Sequence, residues 1–198
     1  IFGLARGGVP VAQQLAERFG IPWDVLVVRK IGAPGNLELG VGALCEDGVP
    51  VFSKAMLKWL QLAPEELEPE VSTRQKELAE RIEKYRAGTP RASVQGQSVC
   101  VVDDGLATGV TAEAAARYLR RAGAGRVLLA VPVAAPDAVA RLKRPGEFYD
   151  DVISLQSPEA FGSVGSWYDQ FEPFEDQRVI ELLAGRTARA AMPLTRAA

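Results

Sequence analysis

The 198-residue chain predicts an α/β fold, an open and mostly parallel twisted sheet flanked by helices. Two apolar runs, residues 99–102 and 126–133, lack the alternation of a half-exposed strand and are typical of strands covered on both faces. Helical patterns separate the apolar runs, and such strand–helix–strand repeats form parallel units with right-handed crossovers. Further strands are predicted at 1–5, 23–28 and 149–155, and helices at 9–19, 111–122 and 136–142.

The first helix contains Pro10 in its first turn, where proline is tolerated, and is followed by Gly20. Val11, Leu15 and Phe19 recur at four-residue spacing, so we expect them to face the sheet. A hairpin is predicted from residues 41–45 and 49–52, which flank the turn signal Glu46-Asp47-Gly48.

Residues 53–87 are charged and predict two helical stretches divided near Ala63-Pro64. In the second stretch, five apolar or aromatic residues fall near one helical face: Leu67, Val71, Leu78, Ile82 and Tyr85. This helical excursion could be a lid or dimer arm, or a scaffold helix that covers one edge. We favour the scaffold interpretation.

Residues 157–183 interrupt the alternating pattern and contain five aromatic residues: Phe161, Trp167, Tyr168, Phe171 and Phe174. They could form an apolar plug, or a C-terminal cap over the edge where a second substrate is selected. Residues 185–198 are expected to be a frayed tail. We expect residues 1–198 to form a single domain, and the strand pattern at its first residues suggests a preceding segment.

The amino-acid composition argues against several classes of function. The chain is 47% apolar without an apolar run of membrane-spanning length, and its net charge of −2 gives no reason to expect nucleic acid or a membrane as partner. The two cysteines, Cys45 and Cys100, are far apart, which favours a reducing cytoplasm and no zinc site. Histidine is absent from these residues, and so are P-loop, dinucleotide-binding and nucleophile-elbow motifs. These absences leave a reaction that depends on positioning of the substrate, on a metal ion and on electrostatic stabilisation.

The most informative segment is residues 99–111, VCVVDDGLATGVT. A buried strand leads into Asp103 and Asp104, and a small-residue turn then leads into a helix. Ligands of open α/β sheets bind at this edge, and a helix N-terminus suits phosphate. Adjacent carboxylates suit vicinal hydroxyls or Mg²⁺, so the combination predicts a phosphorylated ribose. The alternative is a solvated turn in which Thr108 caps the helix.

Residues 101–111 resemble the 5-phosphoribosyl-1-pyrophosphate (PRPP) motif of type I phosphoribosyltransferases. Gly105 stands where a branched apolar residue is usual, and Ala107 where a hydroxyl residue is common. Residues 4–8, LARGG, resemble the family's pyrophosphate loop, and residues 28–30, VRK, with the following Pro-Gly turn, resemble its flexible catalytic loop region. The segments RGGVPVA, VRKIGAPGN and DDGLATG are similar to a bacterial subgroup.

The resemblance implies displacement of pyrophosphate from PRPP by a nitrogenous base, with Mg²⁺ as cofactor and Asp103 and Asp104 as its ligands, directly or through water. It implies catalytic roles for these two acids, Arg6 and Lys30, with Asp104 a candidate general base. Implied substrate-binding residues are Arg6, Gly7, Gly8, Arg29, Lys30, Asp103, Asp104, Gly105, Leu106, Ala107, Thr108, Gly109, Val110 and Thr111.

The resemblance also implies a cis peptide bond, which we expect between Ala5 and Arg6. A homodimer is a further expectation. The alternative function is a sensor of PRPP or a nucleotide that binds without turnover. Another α/β phosphate enzyme, such as a phosphatase, is disfavoured because the motif lacks the D-x-D arrangement of aspartyl-phosphate chemistry.

Overall fold

The computed structural model describes residues 1–87 and 90–190. The strands are β1 (Phe2–Leu4), β2 (Asp24–Leu26), β3 (Arg29–Ala33), β4 (Asn36–Leu44), β5 (Pro50–Phe52), β6 (Ser98–Val102), β7 (Arg126–Val133) and β8 (Asp151–Gln156). The helices are α1 (Gly8–Phe19), α2 (Lys54–Leu60), α3 (Glu68–Arg86), α4 (Val110–Arg121), α5 (Pro136–Leu142) and α6 (Asp176–Ala190), with short 3₁₀ helices at Pro64–Leu67 and Val164–Trp167.

The main sheet has five strands in the order β2-β1-β6-β7-β8, and every neighbouring pair is parallel. This confirms the predicted α/β class and the central position of residues 99–102. Phe2 pairs with Val101 and Gly3 with Val102, so β1 and β6 end side by side. The loops that follow them therefore share one edge of the sheet.

A second sheet, β3-β4-β5, is antiparallel. The predicted hairpin is confirmed as β4 and β5, but a third strand, β3, precedes it. The prediction that Arg29 and Lys30 mark the exit of a strand at 23–28 is therefore wrong. The chain leaves the main sheet after Leu26, and both residues open β3, which turns at Gly35 (φ +74°) into β4.

Helix α1 lies on the main sheet with a different face from the one predicted. Val9, Ala12 and Ala16 are buried, whereas Val11 and Leu15 are half-buried and Phe19 is 67% exposed. A Cβ at Gly3 would lie 2.9 Å from the Ala12 Cβ and the Val9 Cα, so the helix and strand approach closely. Small residues permit this contact, and side-chain hydrophobicity alone does not reveal it.

The excursion at 53–87 is helical as predicted, with α2 and α3 separated near Ala63. Leu67, Leu78 and Tyr85 are buried, and Val71 and Ile82 pack partly buried against the same cluster. Helix α3 contacts β3, β4 and α6, in agreement with the interpretation of a helix that covers one edge.

Two boundaries differ from those predicted. Tyr149 and Asp150 precede β8, and the Tyr149 hydroxyl donates to the Ala112 carbonyl over 2.7 Å, which joins this segment to α4. Gly185, placed in a frayed tail, lies inside α6; residues 191–198 are outside the described residues. Within the described ranges, no helix combines the length and apolar character required to cross a bilayer.

A buried ionic network joins the two sheets to α3. The fully buried Glu46 carboxylate accepts hydrogen bonds from the Val27 amide (3.0 Å) and the Arg86 guanidinium (3.0 Å). It also forms an ion pair with Arg91 (2.8 Å). Arg86 also pairs with Asp24 at 3.2 Å. Charges held out of water are costly unless they are paired, so each member of the network depends on the others, although the buried Arg86 Nε makes no hydrogen bond.

We expect Glu46→Gln to lower the free energy of unfolding by about 3 kcal/mol, because it removes the buried carboxylate shared by Arg86 and Arg91 and leaves Arg86 with Asp24 alone. Urea denaturation followed by circular dichroism measures this loss. The control Glu181→Gln removes the exposed partner of Arg178 and should cost less than about 1 kcal/mol. Equal effects of the two variants would refute a structural role for the network.

Candidate active site

An acid pair stands at the carboxyl end of the central strand. Asp103 and Asp104 follow β6 directly, are half-buried, and are joined by a 3.0 Å hydrogen bond from the Asp104 amide to the Asp103 carboxylate. Burial raises the pKa of Asp103 well above its usual range, and the Asp104 charge raises it further. Burial also raises the pKa of Asp104. Both carboxyls therefore lie where a cation would be favoured.

The loop after β1 lies against this pair. A Cβ at Gly7 would overlap the Asp104 carboxylate, and one at Gly8 would overlap the Val102 carbonyl. Glycine is thus required at both positions for the two loops to touch. The peptide bond between Ala5 and Arg6 is cis, as predicted.

The turn from β6 to α4 is anchored at one point and exposed at another. Leu106 is buried, and its amide donates to the Val133 carbonyl over 2.9 Å. Ala107 and Thr108 are exposed, and Gly109, with φ +71°, is the N-cap of α4. No side-chain cap bond forms there, so the alternative in which Thr108 caps the helix is wrong. The first amides of α4 have no intrahelical acceptor and can bind an anion.

Arg141 of α5 holds this turn from outside. Its guanidinium donates to the Thr108 carbonyl and to the buried Glu113 carboxylate, each over 2.5 Å. A cavity of about 530 Å³ opens beside the turn, lined by Ala107, Thr108, Asp137, Ala138, Ala140, Arg141 and Arg144. Sequence reasoning missed Arg141 and Glu113, because 28 residues separate them and only the fold brings them together.

The predicted cations are placed differently from one another. The Lys30 charge opposes the rise that burial causes in the pKa of both acids. Arg29, the residue before Lys30 on β3, lies on the opposite face of the strand, as strand alternation requires. It forms an ion pair with Glu77 of α3. Arg6 pairs with Asp176, the first residue of α6, at 3.6 Å. The structure thus directs Arg29 to α3, while the exposed Lys30 interacts with the acid pair through its charge.

The segment at 157–183 lies on the acid loop. The Tyr168 hydroxyl donates to the Asp104 carbonyl over 2.5 Å, and its ring packs 5.2 Å from that of Phe171. The Val164 side chain fills the space that a Cβ at Gly105 would take. The departure from the PRPP motif at Gly105 therefore has a packing reason. Residues 164–168 therefore cover the acid loop, whereas Val179 and Leu183 pack in the cluster with α3. That the segment selects a second substrate stays a prediction.

Metal binding at this edge would depend on the acid pair. Among the described residues no group of three or more His, Cys, Asp or Glu side chains is arranged to hold a metal ion. Two carboxylates can contribute to Mg²⁺ binding, because this ion commonly takes one or two from the protein and completes its shell with water and substrate oxygens. The geometry fits that mode of binding.

Comparison with known proteins identifies the family. A family model described as a phosphoribosyl transferase domain matches residues 1–171. Two Mycobacterium tuberculosis proteins (strains CDC 1551 / Oshkosh and ATCC 25618 / H37Rv), each named "Putative phosphoribosyl transferase", are 40% identical to this chain over 183 residues. That alignment covers 92% of the chain, which spans only 41% of the length of each mycobacterial protein.

The crystal structure of the protein TT1426 from Thermus thermophilus is also similar, with 41% identity and a TM-score of 0.75. The match covers 93% of this chain and 86% of that one. The family model matches most of the chain, and the 41% identical Thermus thermophilus protein shares its fold, so the two comparisons agree. The chain belongs to the phosphoribosyl transferase domain family.

Proposed function

We propose that this protein binds PRPP with Mg²⁺ and transfers the phosphoribosyl group to a nitrogenous base, releasing pyrophosphate. The observation that carries the proposal is the contact between the Gly7–Gly8 backbone and the acid pair, beside the N-terminus of α4. Three surfaces meet there: backbone suited to a pyrophosphate, carboxylates suited to ribose hydroxyls, and helix amides suited to a 5′-phosphate. PRPP carries these three chemical groups on one ribose.

The residues that would stabilise the leaving group are cationic or carry free amides. The backbone N–H groups of residues 6–8 bind the pyrophosphate, since the Ala5 amide already donates to the Leu26 carbonyl. Arg6 and Lys30 offset the negative charge that develops on the leaving group. The Lys30 charge acts on the acid pair, in keeping with a role at the bond that breaks. Arg29 contributes less than the sequence suggests, because its guanidinium is held by Glu77, a carboxylate that Arg74 shares.

Asp103 and Asp104 act on the ribose. Their carboxylates accept hydrogen bonds from its hydroxyls, and their negative charge stabilises a ring that becomes cationic as pyrophosphate departs. Mg²⁺ bound through these carboxylates would supply charge neutralisation for the pyrophosphate oxygens. Asp104 is the candidate base for the proton on the attacking nitrogen, and Tyr168 holds the backbone of Asp104 in place.

A screen for pyrophosphate release tests the reaction. PRPP and Mg²⁺ are incubated with the protein and a panel of purine, pyrimidine and other nitrogenous bases, and release with at least one base is expected. Binding of PRPP without release for every base would indicate the sensor alternative. Failure to bind PRPP would refute both functions.

Assembly and location stay predictions. A homodimer is expected, and light scattering after gel filtration measures it. A cytoplasmic location is expected from the sparse cysteines, and microscopy of a tagged full-length protein in its own cell checks it.

We expect Asp103→Asn and Asp104→Asn each to weaken PRPP binding by at least about 1.5 kcal/mol, more than tenfold in Kd, because a charged acceptor is lost. Thermal stability should be unchanged or higher, since the two carboxylates repel each other. Titration calorimetry with PRPP and Mg²⁺, beside thermal melts, measures both. Asp151→Asn, at the start of β8, is the matched control and should bind PRPP normally. Unchanged affinity in both acid variants would contradict the assignment.

We expect Gly7→Ala to weaken PRPP binding by about tenfold, because the new methyl group displaces the Asp104 carboxylate and separates the two loops. The same calorimetry measures this change. Gly185→Ala adds a methyl group where no atom lies within 4 Å and should leave affinity unchanged. An alanine at position 7 that binds PRPP as the parent protein does would show that the loop contact is not needed.

A further inference from the structure

Asp176, at the start of α6, is surrounded by basic residues. Its Oδ1 accepts from the Tyr85 hydroxyl over 2.6 Å and pairs with Arg6 at 3.6 Å and Arg81 at 3.7 Å. Its Oδ2 accepts from the Lys84 ammonium over 3.3 Å. We call Arg6, Arg81, Lys84 and Asp176 the cationic cluster.

The charges of the cationic cluster do not balance. Three bases meet one carboxylate, while burial raises the pKa of Tyr85 and keeps its hydroxyl neutral. The Arg81 side chain is only 19% exposed and Asp176 only 22%, so water screens the excess positive charge less than at an open surface. Such a cluster attracts a further anion.

The geometry also leaves hydrogen-bond donors for that anion. Both arginine–Asp176 distances exceed the roughly 3.2 Å limit of a direct N–H···O bond, and each guanidinium carries five N–H donors. Planar guanidinium groups match phosphate oxygens in pairs, and an ammonium adds a mobile point charge.

Arg6 connects the cationic cluster to the candidate active site. Its backbone belongs to the loop that touches Asp104, and its guanidinium reaches Asp176. Arg81 and Lys84 lie one helical turn apart on α3, so both approach this loop from the helical excursion. The excess charge is therefore adjacent to the loop that would hold a pyrophosphate.

We propose that Arg81 and Lys84 extend the pyrophosphate site, so that a diphosphate is held between the 5–8 loop and α3, with Asp176 as the internal anion that competes with it. This inference rests on the proposed function, because it concerns the leaving group of PRPP. Under this inference, α3 binds pyrophosphate in addition to packing against the second sheet.

Titration calorimetry with inorganic pyrophosphate and Mg²⁺ tests the inference, using Lys84→Gln and Arg81→Gln. We expect about fivefold weaker binding for the first and about tenfold for the second. Lys143→Gln and Arg120→Gln are matched controls, since each removes one cation from an ion pair that does not involve α3 or α6, and both should bind as the parent protein does. Lys84 is 53% exposed, so its variant should fold even if Arg81→Gln lowers stability.

Asp176→Asn separates a binding role from a structural one. Removing the competing anion should tighten pyrophosphate binding severalfold while thermal stability falls, because the ion pairs with α3 are lost. A purely structural Asp176 predicts the loss of stability with unchanged or weaker binding, and that result would overturn the inference.

Ribose 5-phosphate, titrated into the same proteins, separates this inference from the proposed function. Normal ribose 5-phosphate binding throughout, with weaker pyrophosphate binding only in the α3 variants, supports the inference. Unchanged pyrophosphate binding in those variants overturns it and leaves the proposed function intact. Failure of the parent protein to bind pyrophosphate also overturns it, and failure to bind PRPP as well refutes the proposed function.

Discussion

The parallel pairing of β1 with β6 is the constraint on which the candidate site depends. Strands joined in this register end together, so the loop after β1 and the acids after β6 occupy one place at the sheet edge. Gly7 and Gly8 then let two backbones approach more closely than any side chain would allow. A change that shifts β1 relative to β6 would therefore separate the proposed pyrophosphate and ribose contacts.

The second sheet and α3 determine which basic side chains lie near the candidate site. Strand alternation separates two adjacent cations: Arg29 pairs with Glu77, which Arg74 shares, and the Lys30 charge acts on the acid pair. The cationic cluster at Asp176 adds positive charge beside the 5–8 loop through Arg6. Acidic and basic residues far apart in sequence thus set the local potential in a chain whose net charge is only −2.

The aromatic segment at 157–183 contacts the acid loop at two residues. Val164 fits against Gly105 and Tyr168 bonds to the Asp104 carbonyl, so the aromatic segment and the acids are mechanically connected. On the opposite side of the turn, Arg141 holds the Thr108 carbonyl. The loop between Asp104 and Gly109 is therefore supported from two directions, which favours a fixed arrangement of its backbone donors.

Local patterns in the sequence determined much of this protein. Apolar runs, turn residues and helical periodicity predicted the parallel strands, the hairpin at Glu46 and the excursion, and residues 99–111 predicted an acid pair before a helix N-terminus. These features depend on neighbours within a few residues, and such short-range preferences are visible in a single chain.

Tertiary structure decided the rest. The close approach of Gly3 decides which face of α1 is buried, and pairing with β4 creates the third strand of the second sheet. The Arg141–Glu113 and Arg81–Asp176 contacts each join two helices that are distant in sequence. A lone arginine or aspartate carries no local signal of its partner. Only packing of the complete fold brings such charges within a few ångströms, where their interaction becomes strong.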